Sequence, residues 1–453
     1  MMADMGVIGL GVMGAALARN LIDHDTKIIG FEPVGDTTAL KRAGDIPMAD
    51  SLGEMLHDLS RPRVILMMVT AGAPVDAMIN QIQPQLAPGD IIIDGGNSHF
   101  LDSQRRAENL SIGGLLFMGL GVSGGEAGAR FGPAMMAGGA AEAVQLIQSL
   151  LLPIAAKSAD GSPCFDHFGP APAGHFVKML HNAIEYGEMQ LLAEIYGLAK
   201  YAGGQGNGDI ADLFAGWSTA TYGGYLVDVS AGVLRQADDQ TDRDLIDQIA
   251  PIAGQKGTGR WAITAALDLG QAVPSLAAAV FARSLTARAG SQTLPGPVGL
   301  ADPLTPEQLY GAFALAKLAT YEQGFQVLNA AAESYDWPLD LPAVARVWRA
   351  GCILRGPLLE TLARRVKNGV TQIFDASDFK DLSHLRRLLA SASASGISVP
   401  VLAASLSYVE GLSSDRPTAQ LIQGQRDAFG AHGFERRDQA GVFHGQWSPI
   451  EGA

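Results

Sequence analysis

The sequence predicts an α/β-plus-all-α chain: an N-terminal Rossmann-like doubly wound sheet, a large helical domain, and a short C-terminal tail. Three observations carry that reading. A G-x-G-x-x-G turn at residues 9–14 stands between an apolar strand and an apolar helix. Short, near-continuous apolar runs follow at 64–69 and 91–94, as in parallel strands covered on both faces. From about Gly174 the pattern becomes alanine-, leucine- and glycine-rich helix up to about residue 430. At 453 residues the chain exceeds one ordinary core. The expected domains are a Rossmann-like one over 1–173, an all-helical one over 174–430, and a tail over 431–453.

Composition narrows the function. Hydrophobic residues make up 47% and charged residues 17%, a profile of packed domains rather than disorder. The net charge of -14 disfavours nucleic acid, so an anionic substrate needs a local basic pocket. The two cysteines, Cys164 and Cys352, are too few and too far apart for a disulfide framework or a cysteine-rich metal site. There is no basic-then-apolar leader pattern and no clean run of eighteen apolar residues. A cytoplasmic protein without membrane contact is therefore expected.

The first strand is expected over Met5 to Leu10, followed by Gly9-Leu10-Gly11-Val12-Met13-Gly14. Gly9 permits the tight turn, Gly11 lets the backbone approach a pyrophosphate, and Gly14 allows close helix packing. The pyrophosphate would rest on the free N–H groups of the helix start. The second strand, Lys27 to Phe31, ends at Glu32, an acceptor for ribose hydroxyls and a repellent for a 2′-phosphate. Pro33 follows, and the next cations are Lys41 and Arg42, so NAD is expected over NADP. Strands at Val64–Val69 and Ile91–Asp94 lead into Thr70-Ala71-Gly72-Ala73-Pro74 and Gly95-Gly96-Asn97-Ser98. These loops lie at the carboxyl ends of strands, where open α/β sheets bind ligands. Val69, Thr70, Ala71 and Asn97 thus join the cofactor candidates. Leu115 to Gly119 reads as a further strand before the donor-rich loop Gly121-Val122-Ser123-Gly124-Gly125-Glu126. Residues 133–139 read as a last hairpin or strand edge.

His175 to Ala202 reads as one long helix joining the domains. Lys178, Asn182 and Glu185 fall at i, i+4 and i+7, with His181 beside them. A buried lysine with a depressed pKa can serve as a base, and a glutamate two turns away as a separate acid. The residues alone leave open an ordinary helix face with a Lys–Glu pair. Gln255-Lys256-Gly257-Thr258-Gly259-Arg260-Trp261 is a plausible anion nest without Walker A spacing. Asp238 to Asp247 and Arg364-Arg365 read as solvated charge.

Taken together, these residues resemble the 6-phosphogluconate dehydrogenases, the decarboxylating enzymes of the pentose phosphate pathway. The resemblance spans nearly the whole chain. It rests on Gly9 to Gly14, Asp94 to Ser98, Gly121 to Glu126, Gly174 to Met179 through Tyr186, and Gln255 to Gly259. It continues with Trp348-Arg349, Gly351-Cys352-Ile353, Arg355, Gln425-Arg426-Asp427, Phe443-His444 and Trp447. The resemblance implies that Lys178 takes the C3 hydroxyl proton of 6-phosphogluconate and Glu185 protonates C1 of the enediol. It implies that Ser123, Gly124 and Gly125 hold the carboxylate end, and that Asn97, His181 and Asn182 orient hydroxyls and nicotinamide. Tyr186, Lys256, Thr258 and Arg283 match phosphate-end residues. Arg426 and His432 match residues that reach in from the partner of a homodimer. No metal is implied.

Two departures stand out. The family's usual second strand ends in asparagine–arginine–threonine and prefers NADP; here Glu32-Pro33-Val34 stands there, and Thr70 replaces a lysine. NAD is therefore expected as the preferred cofactor, with NADP the alternative. Only Ser448 to Ala453 follow Trp447, too few for the long tail that threads a partner. The competing readings are a non-decarboxylating 3-hydroxyacid dehydrogenase of the same superfamily and a catalytically silent NAD-binding scaffold.

Overall fold

The computed structural model describes residues 2–33, 37–288, 290–291, 296–369, 373–414 and 418–447. Val34 and the tail 448–453, both named above, lie outside these. The chain divides into two compact units, Met1–Ser405 and Leu406–Ala453. The first unit contains both the sheet and the long helices, so the expected boundary at 173/174 falls inside it.

Seven strands form the sheet: β1 (Met5–Ile8), β2 (Ile28–Phe31), β3 (Val64–Met67), β4 (Ile91–Asp94), β5 (Leu116–Ser123), β6 (Ala134–Gly139) and β7 (Phe165–His167). Their order is β2-β1-β3-β4-β5-β6-β7. The first five are parallel, β6 is antiparallel to β5, and β7 is parallel to β6. Both faces are covered. Val7, Leu66 and Ile93 pack into one apolar core with Leu17 and Ile147, while Ile8, Ile65 and Ile92 pack into another with Met78 and Leu110. Alternate residues of each strand therefore face opposite cores, which explains their unbroken apolar character.

Two expectations are corrected here. Residues 133–139 are not the sheet's edge: β6 is interior, and the short β7 pairs outside it. Phe165-Asp166-His167 is too short and too polar to read as a strand in isolation. The long helix begins at Ala171 rather than His175 and ends at Gly197, with a π turn at Leu198–Ala202. Pro172 sits in its first turn, where the missing N–H costs no hydrogen bond.

The helix Ala171–Gly197 and the helix Pro306–Ser334 are the two long elements of the helical layer. They meet where each has lost its side chain. A methyl on Gly187 would lie 2.4 Å from Thr320 Cγ2, and one on Gly324 would lie 2.5 Å from Ile184 Cδ1. The first helix is also seated on the sheet, since a methyl on Gly174 would lie 2.3 Å from the Gly119 carbonyl of β5. Arg365 is paired to Asp375 and Asp378 rather than merely solvated. Among the described residues no helix is long and apolar enough to cross a membrane.

The smaller unit carries the helix Ala419–Gly430 and a hairpin of β8 (Phe434–Glu435) and β9 (Val442–Phe443). Asp427 organises it. Its carboxylate accepts the N–H groups of Gly433 and Gly445, the indole N–H of Trp447, and a contact from His444 Nδ1, all within 2.8 Å. These bonds hold its carboxyl far below the usual range, the Gly445 N–H contributing most.

Candidate active site

β1 ends at Ile8 so that Gly9 can turn with φ 89°, a conformation that favours glycine. The helix Val12–Asp23 starts at once, with Gly11 as its N-cap. A methyl on Gly14 would lie 1.9 Å from the Gly9 carbonyl, so only glycine lets this helix approach the strand. At Gly11 a methyl would meet nothing within 4 Å: that backbone faces open space. A cleft of about 410 Å³ opens there, with Gly9, Gly11, Glu32, Val69 and Thr70 in its wall. Leu10 donates its N–H to Glu32 Oε2 at 2.7 Å, which sets the carboxylate against the turn. Leu10 and Met13 lie on the protein side of the turn, Val12 is exposed, and Ala71 continues the loop beyond Thr70. Arg42 lines a different cleft, beside Val12 and Arg19. Among the described residues no lysine or arginine lines the cleft of Glu32. These features fit a dinucleotide, with backbone donors for its diphosphate and a carboxylate for a ribose diol.

The second group lies on the helix Ala171–Gly197 above β5. Lys178 is buried, and a methyl on Gly121 of β5 would lie 2.4 Å from its Cβ. Its Nζ is 3.5 Å from His181 Nδ1, which is 3.4 Å from Asn182 Oδ1 and 3.8 Å from Glu185 Oε2. The other ring nitrogen of His181 lies 3.3 Å from Ser123 Oγ, at the end of β5. Gly124 and Gly125 follow with positive φ and start the helix Gly125–Phe131. Four titratable or polar side chains of one helix thus converge with the loop after β5. Burial pushes the Lys178 ammonium below its ordinary 10.5, against the pull of Glu185. Burial, then the charge of Lys178, keeps His181 well below 6.5 and neutral. Burial raises the Glu185 carboxyl above 4.5, while Lys178 and Arg283 oppose the shift. A lysine shifted down and a glutamate shifted up, in one site, suit a base and an acid near neutrality.

At the residue after Glu185, the Arg283 guanidinium stacks over the Tyr186 ring at 3.5 Å. The helix Thr258–Asp268 approaches the same ring: a methyl on Gly259 would come within 2.9 Å of it. Thr258 is buried at the start of that helix, Gly257 turns with φ 96°, and Lys256 is exposed just before. This places a helix N-terminus, a hydroxyl, a guanidinium and a phenol in one neighbourhood. Asn97 is exposed in the loop after β4, shaped by Asp94, which accepts from Gly96 N–H and Ser98 Oγ–H. Arg426 and His432 are exposed in the smaller unit.

Comparison with known proteins agrees with this geometry. Residues 4–169 match the NAD binding domain of 6-phosphogluconate dehydrogenase, and residues 174–447 match the C-terminal domain of 6-phosphogluconate dehydrogenase. The chain belongs to the 6-phosphogluconate dehydrogenase family. It is 42% identical to 6-phosphogluconate dehydrogenase, decarboxylating 1, of Saccharomyces cerevisiae, over 96% of this chain and 93% of that one. It is 38% identical to the NADP(+)-dependent, decarboxylating enzyme of Bacillus subtilis, over 98% and 99%. The Plasmodium falciparum 6-phosphogluconate dehydrogenase, solved in apo form, with NADP+ and with 6-phosphogluconate, superimposes with a TM-score of 0.91. That match has 34% identity and covers 98% of this chain and 100% of that one.

Within this chain, the structure adds residues to which the sequence alone assigns no role. Trp348 meets His181 in a T-shaped ring contact with centroids 5.4 Å apart. The Gly351 carbonyl would sit 2.5 Å from a methyl on Gly124, so the 348–352 segment lies against the loop after β5. Cys352 donates its thiol to the Trp348 carbonyl at 3.0 Å, and burial pushes that thiol up to about 12. Glu188, one turn past Glu185, is paired with Lys317 at 2.7 Å and accepts from Tyr321 at 3.1 Å. Trp348, Gly351 and Cys352 belong to a recognisable motif, but only tertiary packing brings Trp348 against His181 and Gly351 against the loop after β5.

Proposed function

We propose that the chain catalyses the oxidative decarboxylation of 6-phospho-D-gluconate to D-ribulose 5-phosphate and CO2, with reduction of a nicotinamide cofactor, NAD in preference to NADP. The observation that carries this reading is the group Lys178, His181, Asn182 and Glu185 beneath the Ser123 loop, with Arg283 and the helix start at Thr258 beside the adjacent Tyr186. The glycine turn would hold the dinucleotide by its diphosphate, and the nicotinamide would supply the hydride acceptor. Neutral Lys178 takes the C3 hydroxyl proton as the C3 hydrogen leaves as hydride. The 3-keto acid then loses its C1 carboxylate as CO2, because the new carbonyl accepts the electron pair. Protonated Lys178 stabilises that oxygen, and Glu185 returns a proton to C1 of the enediol.

The remaining residues bind and orient. Ser123, Gly124 and Gly125 hold the carboxylate end. Asn97, His181 and Asn182 orient hydroxyls and nicotinamide. Tyr186, Lys256, Thr258 and Arg283 take the phosphate, whose charge the acidic surface would otherwise repel. Gly9 to Gly14, Val69, Thr70 and Ala71 hold the dinucleotide, and Glu32 holds its ribose. NAD preference rests on Glu32 and on the lack of a lysine or arginine among the cleft's described lining residues. In the enzyme as we read it, Arg426 and His432 complete the site of a second copy in a cytoplasmic homodimer. Exposed Leu421, Ile422 and Phe429 on the helix of Arg426 support such an association.

The test is initial rates with 6-phosphogluconate and NAD or NADP, with CO2 recorded. NADH and CO2 in equal amounts, faster than NADPH, is the expected result. Faster NADPH would overturn the cofactor preference alone. Turnover of 3-hydroxyisobutyrate but not of 6-phosphogluconate would favour the non-decarboxylating reading.

A further inference from the structure

Arg106 is a cation that the proposed chemistry does not use, yet it is buried, with a side chain 2% exposed. It sits on the helix Phe100–Ser111 behind the carboxyl ends of β3 and β4. Its guanidinium points in three directions. Nη2 donates to the Gly72 carbonyl at 3.0 Å, in the loop after β3 that carries Val69, Thr70 and Ala71. Nη1 donates to Asp94 Oδ2 at 3.1 Å and to Ser98 Oγ at 3.2 Å, the two ends of the loop after β4 that carries Asn97. Nε donates to Asp76 Oδ1 at 2.8 Å, in the first turn of the helix that follows Gly72. The two loops also touch directly: a methyl on Gly96 would lie 3.0 Å from the Val69 carbonyl. The clamp extends to the long helix, because His175 Nε2 lies 3.1 Å from the Asp94 carbonyl, one turn before Lys178. Ser103, from the helix of Arg106, holds the other ring nitrogen at 2.6 Å.

We propose that Arg106 is a positioning residue for the cofactor. It joins the loops after β3 and β4 into one wall of the dinucleotide cleft and references that wall to the helix of Lys178. The inference rests on the dinucleotide reading of that cleft. A planar fork is needed, because bonds leave Nε, Nη1 and Nη2 along fixed and separate directions. A lysine supplies charge but not that geometry. Arg105 is the internal comparison. It bonds Asp76 and Asp102 from the surface and touches neither loop.

The test is equilibrium binding of NAD and NADH to the full-length protein, followed by steady-state KM values, for Arg106→Gln, Arg106→Lys and Arg105→Gln. Arg106→Gln should raise the dinucleotide Kd and KM by about tenfold while the 6-phosphogluconate KM moves about twofold or less. Arg106→Lys should not rescue, and Arg105→Gln should bind as the wild type does. Wild-type Kd in a folded Arg106→Gln or Arg106→Lys protein would overturn the proposal, as would equal rises in both KM values. Should both Arg106 variants fail to fold, Ser98→Ala and Asp94→Asn decide. They keep Arg106 but weaken its tie to the loop after β4, and an unchanged Kd in both overturns the inference. If the wild type itself binds neither NAD nor NADP, the dinucleotide reading has failed rather than the clamp.

Discussion

Gly121 passes so close beneath Lys178 that a methyl on it would lie 2.4 Å from the lysine Cβ. The strand therefore sets the lysine's position from below. Gly121→Ala should displace Lys178 and lower kcat by about 10- to 100-fold. Dinucleotide Kd should stay within about twofold, because the glycine turn is untouched. Steady-state kinetics with direct binding checks this, and an unchanged kcat would show that the helix shifts freely.

Lys178→Met should abolish turnover yet retain dinucleotide binding. It should also stabilise the fold, because burial depresses the lysine's pKa in the folded state. A lysine so shifted costs nothing above its unfolded value, destabilises increasingly as pH falls from that value towards its lowered folded one, and does so fully below it. The gain in Tm, roughly 1–3 °C, should thus be larger at pH 6 than near pH 10. Thermal melts across that range decide it; a lower Tm at every pH would contradict the argument.

The pH profile of kcat/KM should be a bell whose two inflections belong to Glu185 and Lys178. The Glu185 inflection lies above the ordinary 4.5 and the Lys178 inflection below 10.5. Arg283 pulls the Glu185 carboxyl down. Arg283→Met should move the Glu185 inflection to higher pH, leave that of Lys178 in place, and raise the 6-phosphogluconate KM. Glu185→Gln identifies the inflection by removing it; a profile unaltered by Arg283→Met would sever that link.

Glu32 accepts the Leu10 N–H at the cleft. Glu32→Ala removes both a ribose acceptor and a prop of the glycine turn. It should cost NAD about tenfold or more in kcat/KM and raise the NADP-to-NAD ratio. A ratio that stays constant would place cofactor choice elsewhere.

Arg426→Ala should raise the 6-phosphogluconate KM by about tenfold with little change in kcat. Mixing it with Lys178→Ala under exchange conditions tests which copy supplies the arginine. Hybrid dimers would hold one intact site, and activity at limiting substrate should recover to about a quarter of wild type. No recovery, with hybrids demonstrated, would mean that each copy uses its own Arg426.

How much of this was legible depends on how local each signal is. The glycine turn, the apolar strands and the spacing of Lys178, Asn182 and Glu185 are local patterns, set by backbone conformation and helical period. β7 was not legible, because three half-buried residues acquire strand character only by pairing with β6. The start of the long helix at Ala171 was obscured by Pro172, which reads as a breaker until its first-turn position is known.

By itself, the sequence determined the doubly wound domain, the helical second half, the family resemblance and the candidate acid–base helix. Each follows from periodicity or from residues adjacent in the chain. Tertiary structure alone decided that Lys178 is buried over Gly121, that Trp348 packs against His181, and that Arg106 joins two loops. Burial and cross-chain contact are properties of packing between distant segments. They shift a lysine's pKa and give a guanidinium its partners, and no local pattern encodes which segments will meet.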